Sequence, residues 1–130
     1  MDSLTRLAAP LGRLLLSLIF IIAGIGKATS ATATIGYIAS KGIPLPEVSY
    51  VLTLIVELGG GALILIGYQT RIVAFLLAGF CIVTGLIFHN DFADQTMFIM
   101  FMKNLAMAGG FLQLVAHGAG AYSIDNRGKA

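Results

Sequence analysis

One carboxylate and a few bases, set in an otherwise apolar chain, are the residues with chemistry in them. Glu57 sits at the middle of the run from Val48 to Gly67; Arg13 and Lys27 flank or enter an earlier apolar run, His89 closes a third, and Lys103 and Asn104 lie side by side inside a fourth. A charge at the centre of a bilayer costs on the order of 2.5 to 3.5 kcal/mol or more, and persists beside a partner or water. Glu57 therefore asks the rest of the chain for a counter-ion. At a helical rise of about 1.5 Å per residue, Arg13 lies about 9 Å from one end of its span, Lys103 about 9 Å from the opposite end of its own, and Glu57 roughly midway. These depths predict a buried cluster with Glu57 between Arg13 and Lys103. Its formal surplus of one positive charge suits an anionic or electron-rich ligand, with the bases donating to carbonyl or phenolate oxygens and Glu57 holding or exchanging a proton.

The elements that must position such a cluster are membrane-spanning helices. Of 130 residues, 58% are hydrophobic and only 11% charged, with a mean hydropathy of +0.93. So much apolar surface exceeds what a body this small can bury, and lipid must cover the remainder. Four runs have the length that a hydrocarbon core of about 30 Å requires, at roughly 7–26, 48–67, 72–88 and 97–117. The predicted architecture is an all-α transmembrane four-helix bundle forming a single membrane domain over 1–130. The first run begins with basic residues and ends in small ones, Ala28 to Ala33, as a signal peptide would; it is read here as a helix. Arg13, Ser17, Phe20, Gly24 and Lys27 recur at helical spacing, which places them on one face. Ala74, Ala78, Cys81, Gly85 and His89 form a second such stripe. Gly24, Gly59, Gly60, Gly61, Gly109 and Gly110 are expected to let neighbouring helices approach closely. Between the first two spans, Ser30 or Thr32 starts a short interfacial helix through Ser40. Gly42 ends it, and Pro44 and Pro46 force an extended lead into the next span.

Several chemistries are excluded. A net charge of +2 is too small for nucleic-acid binding, and the single cysteine, Cys81, rules out an internal disulfide or a redox pair. His89 and His117 fall near opposite membrane faces and cannot share a haem, and no metal cluster, nucleotide loop or catalytic triad is present in the pattern. No catalytic residue and no intrinsic cofactor is expected. Counting flanking bases puts Arg6, Arg71, Arg127 and Lys129 on one side and Lys27 and Lys41 on the other, which predicts both termini in the cytoplasm.

The residues Ala23-Gly24-Ile25-Gly26-Lys27, Glu57-Leu58-Gly59-Gly60-Gly61, Gly67 with Thr70-Arg71, His89, Lys103-Asn104 and Gly118 through Asp125 resemble the DoxX family of small bacterial inner-membrane proteins over almost the whole length. The resemblance implies a four-helix inner-membrane protein, and it carries over Arg13, Lys27, Glu57, His89, Lys103, Asn104 and Asp125 as positions of interest. It also implies a link to quinone-dependent oxidoreductases, as a subunit, or to membrane-associated stress complexes. The leading expectation is a membrane subunit or accessory factor with a buried polar site for a quinone-like or small amphipathic ligand. The alternatives are an assembly partner of another protein or of its own copies, and a small ion or proton pathway. The bilayer itself is the one partner that composition alone requires.

Overall fold

The computed structural model describes residues 3–127; Lys129, counted above among the flanking bases, lies outside them. The described chain is all helical. Helix α1 covers Ser3–Thr29, α2 Ala31–Ser40, α3 Pro46–Ile66, α4 Thr70–Phe88 and α5 Gln95–His117. Four of these, all except α2, are long and apolar enough to cross a membrane. Pro10 lies well inside α1, not in its first turns as the apolar run suggests, because α1 begins four residues earlier at Ser3. Membrane helices tolerate such a proline when neighbouring groups re-satisfy the freed carbonyl.

Packing follows the small and polar stripes. The buried positions of α1 are Arg13, Ser17, Phe20 and Gly24, while Leu11, Leu15, Leu18, Ile19, Ile22 and Ile25 are exposed. Large aliphatic side chains on the outside and small or polar ones inside invert the pattern of a water-soluble bundle, and a lipid surround accounts for it. Helix α4 buries Val73, Ala74, Leu77, Ala78, Cys81 and Gly85 and pairs most extensively with α5. Together with α1 and α3 they share a core around Phe20, Ile64, Leu77 and Phe111, with the Phe20 and Phe111 rings edge to face at 5.4 Å.

Glycines set the register of α1 against α3. A Cβ on Gly24 would lie 2.6 Å from Leu58 Cδ2, and one on Gly61 would lie 2.9 Å from Ile21 Cγ1. Gly60 meets Leu77 of α4 and Gly110 meets Leu16 of α1. Gly59 and Gly109 depart from the expected close approach: both are exposed, and a Cβ added at either would meet open space. Successive helical residues turn by about 100°, so three consecutive glycines cannot all face one neighbour. Gly59→Ala is accordingly expected to raise stability by up to about 1 kcal/mol through helix propensity. Gly61→Val is expected to lower it by about 1 to 3 kcal/mol through overpacking. Thermal unfolding in detergent checks both.

The short helix α2 returns across one end of the bundle. Ser30 stands at its start, yet its hydroxyl donates back to Gly26 O at 2.7 Å and does not cap α2. Gly42 leaves it with φ +75°, and Leu45 takes a left-handed conformation before Pro46 opens α3. At the opposite end, the segment after Gly118 folds back under the turn between α3 and α4. There Ile124 N–H donates to Ile66 O at 3.1 Å and Asp125 N–H to Gly67 O at 2.9 Å.

Candidate functional site

The α1–α3 register decides which base reaches Glu57. Gly24 lies against Leu58, whereas Arg13 lies against Gly67, so Arg13 and the level of Glu57 are separated by eleven positions of α1, roughly 16 Å. Lys27 takes its place. Its Nζ donates to both Glu57 oxygens, at 3.0 and 3.1 Å, and the Glu57 side chain is 8% exposed against 33% for Lys27. The Tyr50 hydroxyl donates to Lys27 O at 2.7 Å and holds this end of α1 in place. Glu57 itself stands in a π-helical turn, Ile55–Gly60, that interrupts α3. Such turns recur at functional sites, since one extra residue per turn shifts the register of side chains around them.

The expected cluster of Arg13, Glu57 and Lys103 is therefore corrected. Lys103 is exposed and lines a separate groove with Leu15, Leu16, Ile19, Ala106 and Met107. Arg13, 2% exposed, spends its donors on backbone carbonyls at the far end of the bundle. Nε donates to Ala119 O at 2.9 Å, Nη1 to Ile64 O at 3.2 Å and Leu65 O at 2.7 Å, and Nη2 to Tyr122 O at 2.5 Å. Two of these carbonyls belong to the last turn of α3, where helical partners run out. The guanidinium thus caps α3 and ties the tail to it. Asp125 completes the tie by accepting from the N–H groups of Gln69 at 2.7 Å and Thr70 at 2.8 Å, so it caps the start of α4.

Burial acts to raise the Asp125 carboxyl. The Thr70 and Gln69 backbone donors and the Arg13 charge outweigh it and hold the group below its ordinary range. A depressed carboxylate contributes stability above its unfolded value, about 3.9, and loses it as pH falls through the lower folded one. Acidification below about pH 4 should therefore loosen the tail. Asp125→Asn should show much of the same loss already at neutral pH; hydrogen exchange at Ile124 and Asp125 reads both.

On the α2 side, the Lys27–Glu57 pair opens on a cavity of about 350 Å³. Its wall is mainly apolar, with Phe20, Phe80, Phe88, Met100 and Met107, and α2 contributes Thr34, Tyr37 and Ile38. Tyr37 stacks on Phe88 with ring centroids 5.4 Å apart, which joins α2 to the end of α4 across the cavity. Asn104, beside the cavity, donates from Nδ2 to Cys81 O at 2.9 Å and Thr84 Oγ1 at 3.3 Å. His89 lines the same space, and its Nδ1 is buried without a hydrogen-bond partner. Burial, and then the charge of Lys41, lower the His89 imidazole below its usual value, so the ring is neutral at pH 7. An apolar chamber with a few convergent polar groups is the general form of a small-molecule site. Among the described residues no group of three metal-ligating side chains comes together.

The DoxX family model matches residues 8–90, from within α1 to just past the end of α4, and so takes in both the Lys27–Glu57 pair and His89. The chain belongs to the DoxX family. It is similar to inner membrane protein YqjF of Escherichia coli (strain K12), 42% identical over 128 residues that cover 96% of this chain and 95% of the relative. It is also similar to inner membrane protein YphA of the same organism, 35% identical over 123 residues, covering 90% and 87%. No solved structure matches. With four membrane-length helices and inner-membrane relatives of nearly full overlap, this DoxX protein is a multi-pass inner-membrane protein.

Of the residues singled out from sequence, the DoxX fold brings Lys27, Glu57, His89 and Asn104 to one cavity and sends Arg13 and Lys103 elsewhere. Sequence reasoning misses Thr34, Tyr37, Thr53 and Thr84 as lining residues. For Thr34 and Tyr37 the available signal is the aromatic and small polar content of the first loop; Thr53 and Thr84 lie inside α3 and α4.

Proposed function

We propose that this protein binds a small amphipathic molecule with a quinone-like headgroup in the chamber between α1, α3, α4 and α5, under α2, as a membrane subunit or accessory factor in redox or stress physiology. The observation that carries the reading is a buried, bidentate ion pair at the wall of an apolar cavity. A pair placed only for stability gains little over hydrophobic residues of the same volume; beside a cavity it offers a ligand both a donor and an acceptor. Lysine has three donors, and at most two go to Glu57, so one remains for a carbonyl or phenolate oxygen. The aromatic and methionine wall suits a flat ring and a flexible tail.

The apolar layer of Phe20, Ile64, Leu77 and Phe111 lies between the chamber and the Arg13 end, which supports a binding site over an ion or proton pathway. The excess of flanking bases at the Arg13 end supports cytoplasmic termini, and the chamber then faces the outer leaflet of the inner membrane. Decylubiquinone titrated into the protein in nanodiscs should bind saturably and raise thermal stability, by about 2.7 kcal/mol at a hundredfold excess over Kd. Glu57→Gln should abolish the shift. Absence of saturable binding to the unaltered protein would overturn the proposal.

A further inference from the structure

We infer that His89 is the second anchor of the chamber and that the ligand therefore carries two polar groups at opposite ends of one ring; this rests on the ligand reading above. The buried Nδ1 has neither donor nor acceptor beside it. A desolvated N–H without an acceptor is costlier and rarer than a desolvated lone pair. The proton of the neutral ring thus belongs on Nε2, the accessible nitrogen, and makes it a donor in a residue that lines the chamber.

The spacing fixes the length of what lies between the anchors. Gly60 packs on Leu77, and α3 and α4 are antiparallel, so Glu57 is level with Phe80. From there to His89 are nine positions, about 13 Å of rise. Helical side chains tilt toward the start of their own helix, so Glu57 leans toward the α2 side and shortens the distance to His89, which follows the last residue of α4 and lines the same chamber. One six-membered ring with an oxygen at either end and a hydrogen bond of about 3 Å to each anchor has the length to bridge such a gap. A 1,4-disubstituted ring with oxygen at both positions meets Lys27 and Glu57 at one end and His89 Nε2 at the other. A molecule with a single polar head reaches only the first.

The test compares 2-hexylhydroquinone with 3-hexylphenol, which lacks one of the two ring oxygens, by anaerobic titration into the detergent-solubilised protein. The unaltered protein should prefer the hydroquinone by about tenfold, the equivalent of about 1.4 kcal/mol. His89→Phe should bring the ratio near one, and His89→Gln, which restores a donor at a similar reach, should recover the preference. Equal affinities in the unaltered protein, or a preference that survives in His89→Phe, would overturn the assignment of His89 while leaving the chamber as a ligand site. Binding of neither probe to the unaltered protein would overturn both.

Discussion

Glu57→Ala should lower thermal stability and remove ligand binding together, and Lys27→Met combined with Glu57→Gln should separate the two effects. In the single variant, Lys27 Nζ loses both of its oxygen partners and is left charged at the wall of an apolar chamber. Stranding one partner of a fully buried pair costs about 3 to 5 kcal/mol. Lys27 is a third exposed, so solvent and snorkelling recover part of that, and a loss of about 2 kcal/mol is expected. The double variant leaves no charge stranded and should unfold within about 1 kcal/mol of the unaltered protein, since a neutral pair of similar volume often matches a buried ion pair. It should still bind decylubiquinone at least tenfold more weakly, because a hydrogen bond from a charged donor contributes about 1.5 to 3 kcal/mol. Thermal unfolding with and without the quinone gives both quantities from one series.

Arg13→Met should be the most destabilising substitution in the chain, with no direct effect on the chamber. Arg13 joins α1 to carbonyls at Ile64 and Leu65 in the last turn of α3 and at Ala119 and Tyr122 in the tail. Methionine fills much of the space but takes the Arg13 donors away, and of the four carbonyls Ile64 O keeps the Gly67 N–H at 3.2 Å. Each buried polar group left unsatisfied costs about 1 to 3 kcal/mol; with relaxation of the tail toward water, a total of about 3 to 5 kcal/mol is expected. Arg13→Lys should rescue little of it, because one ammonium cannot reach the four acceptors that a planar fork serves. Hydrogen exchange at Ile124 and Asp125, whose N–H groups pair with Ile66 and Gly67, should rise in both variants before the helices themselves open.

These two residues also show what is legible in the sequence and what is not. Four spans and the buried stripe of α1 follow from hydropathy and a 3.6-residue period. Both are local properties, and the structure buries Arg13, Ser17, Phe20 and Gly24 on one face as that period requires. The need of Glu57 for a base is legible too, from the cost of an isolated charge in a bilayer. Which base answers it is not. Depth measured from the ends of each span treats the helices as aligned cylinders, and it ranks Arg13 and Lys103 ahead of Lys27. The actual partner depends on a register set by glycine contacts between α1 and α3 and on the π-helical turn that carries Glu57, neither of which leaves a periodic trace. The role of Arg13 escapes for a related reason: its acceptors are backbone carbonyls, and backbone groups have no sequence signature. Asp125 escapes in the same way. It accepts from the N–H groups at the start of α4, fifty-five residues earlier in the chain, a pairing that no local pattern announces.

Calorimetric titration of decylubiquinone into three forms of the protein tests the central claim most directly: unaltered, Lys27→Met and Lys103→Met. If Lys27 with Glu57 forms the polar wall of the chamber, the unaltered protein and Lys103→Met bind with the same affinity and Lys27→Met binds at least tenfold more weakly. Loss of binding in Lys103→Met together with retention in Lys27→Met would contradict the account.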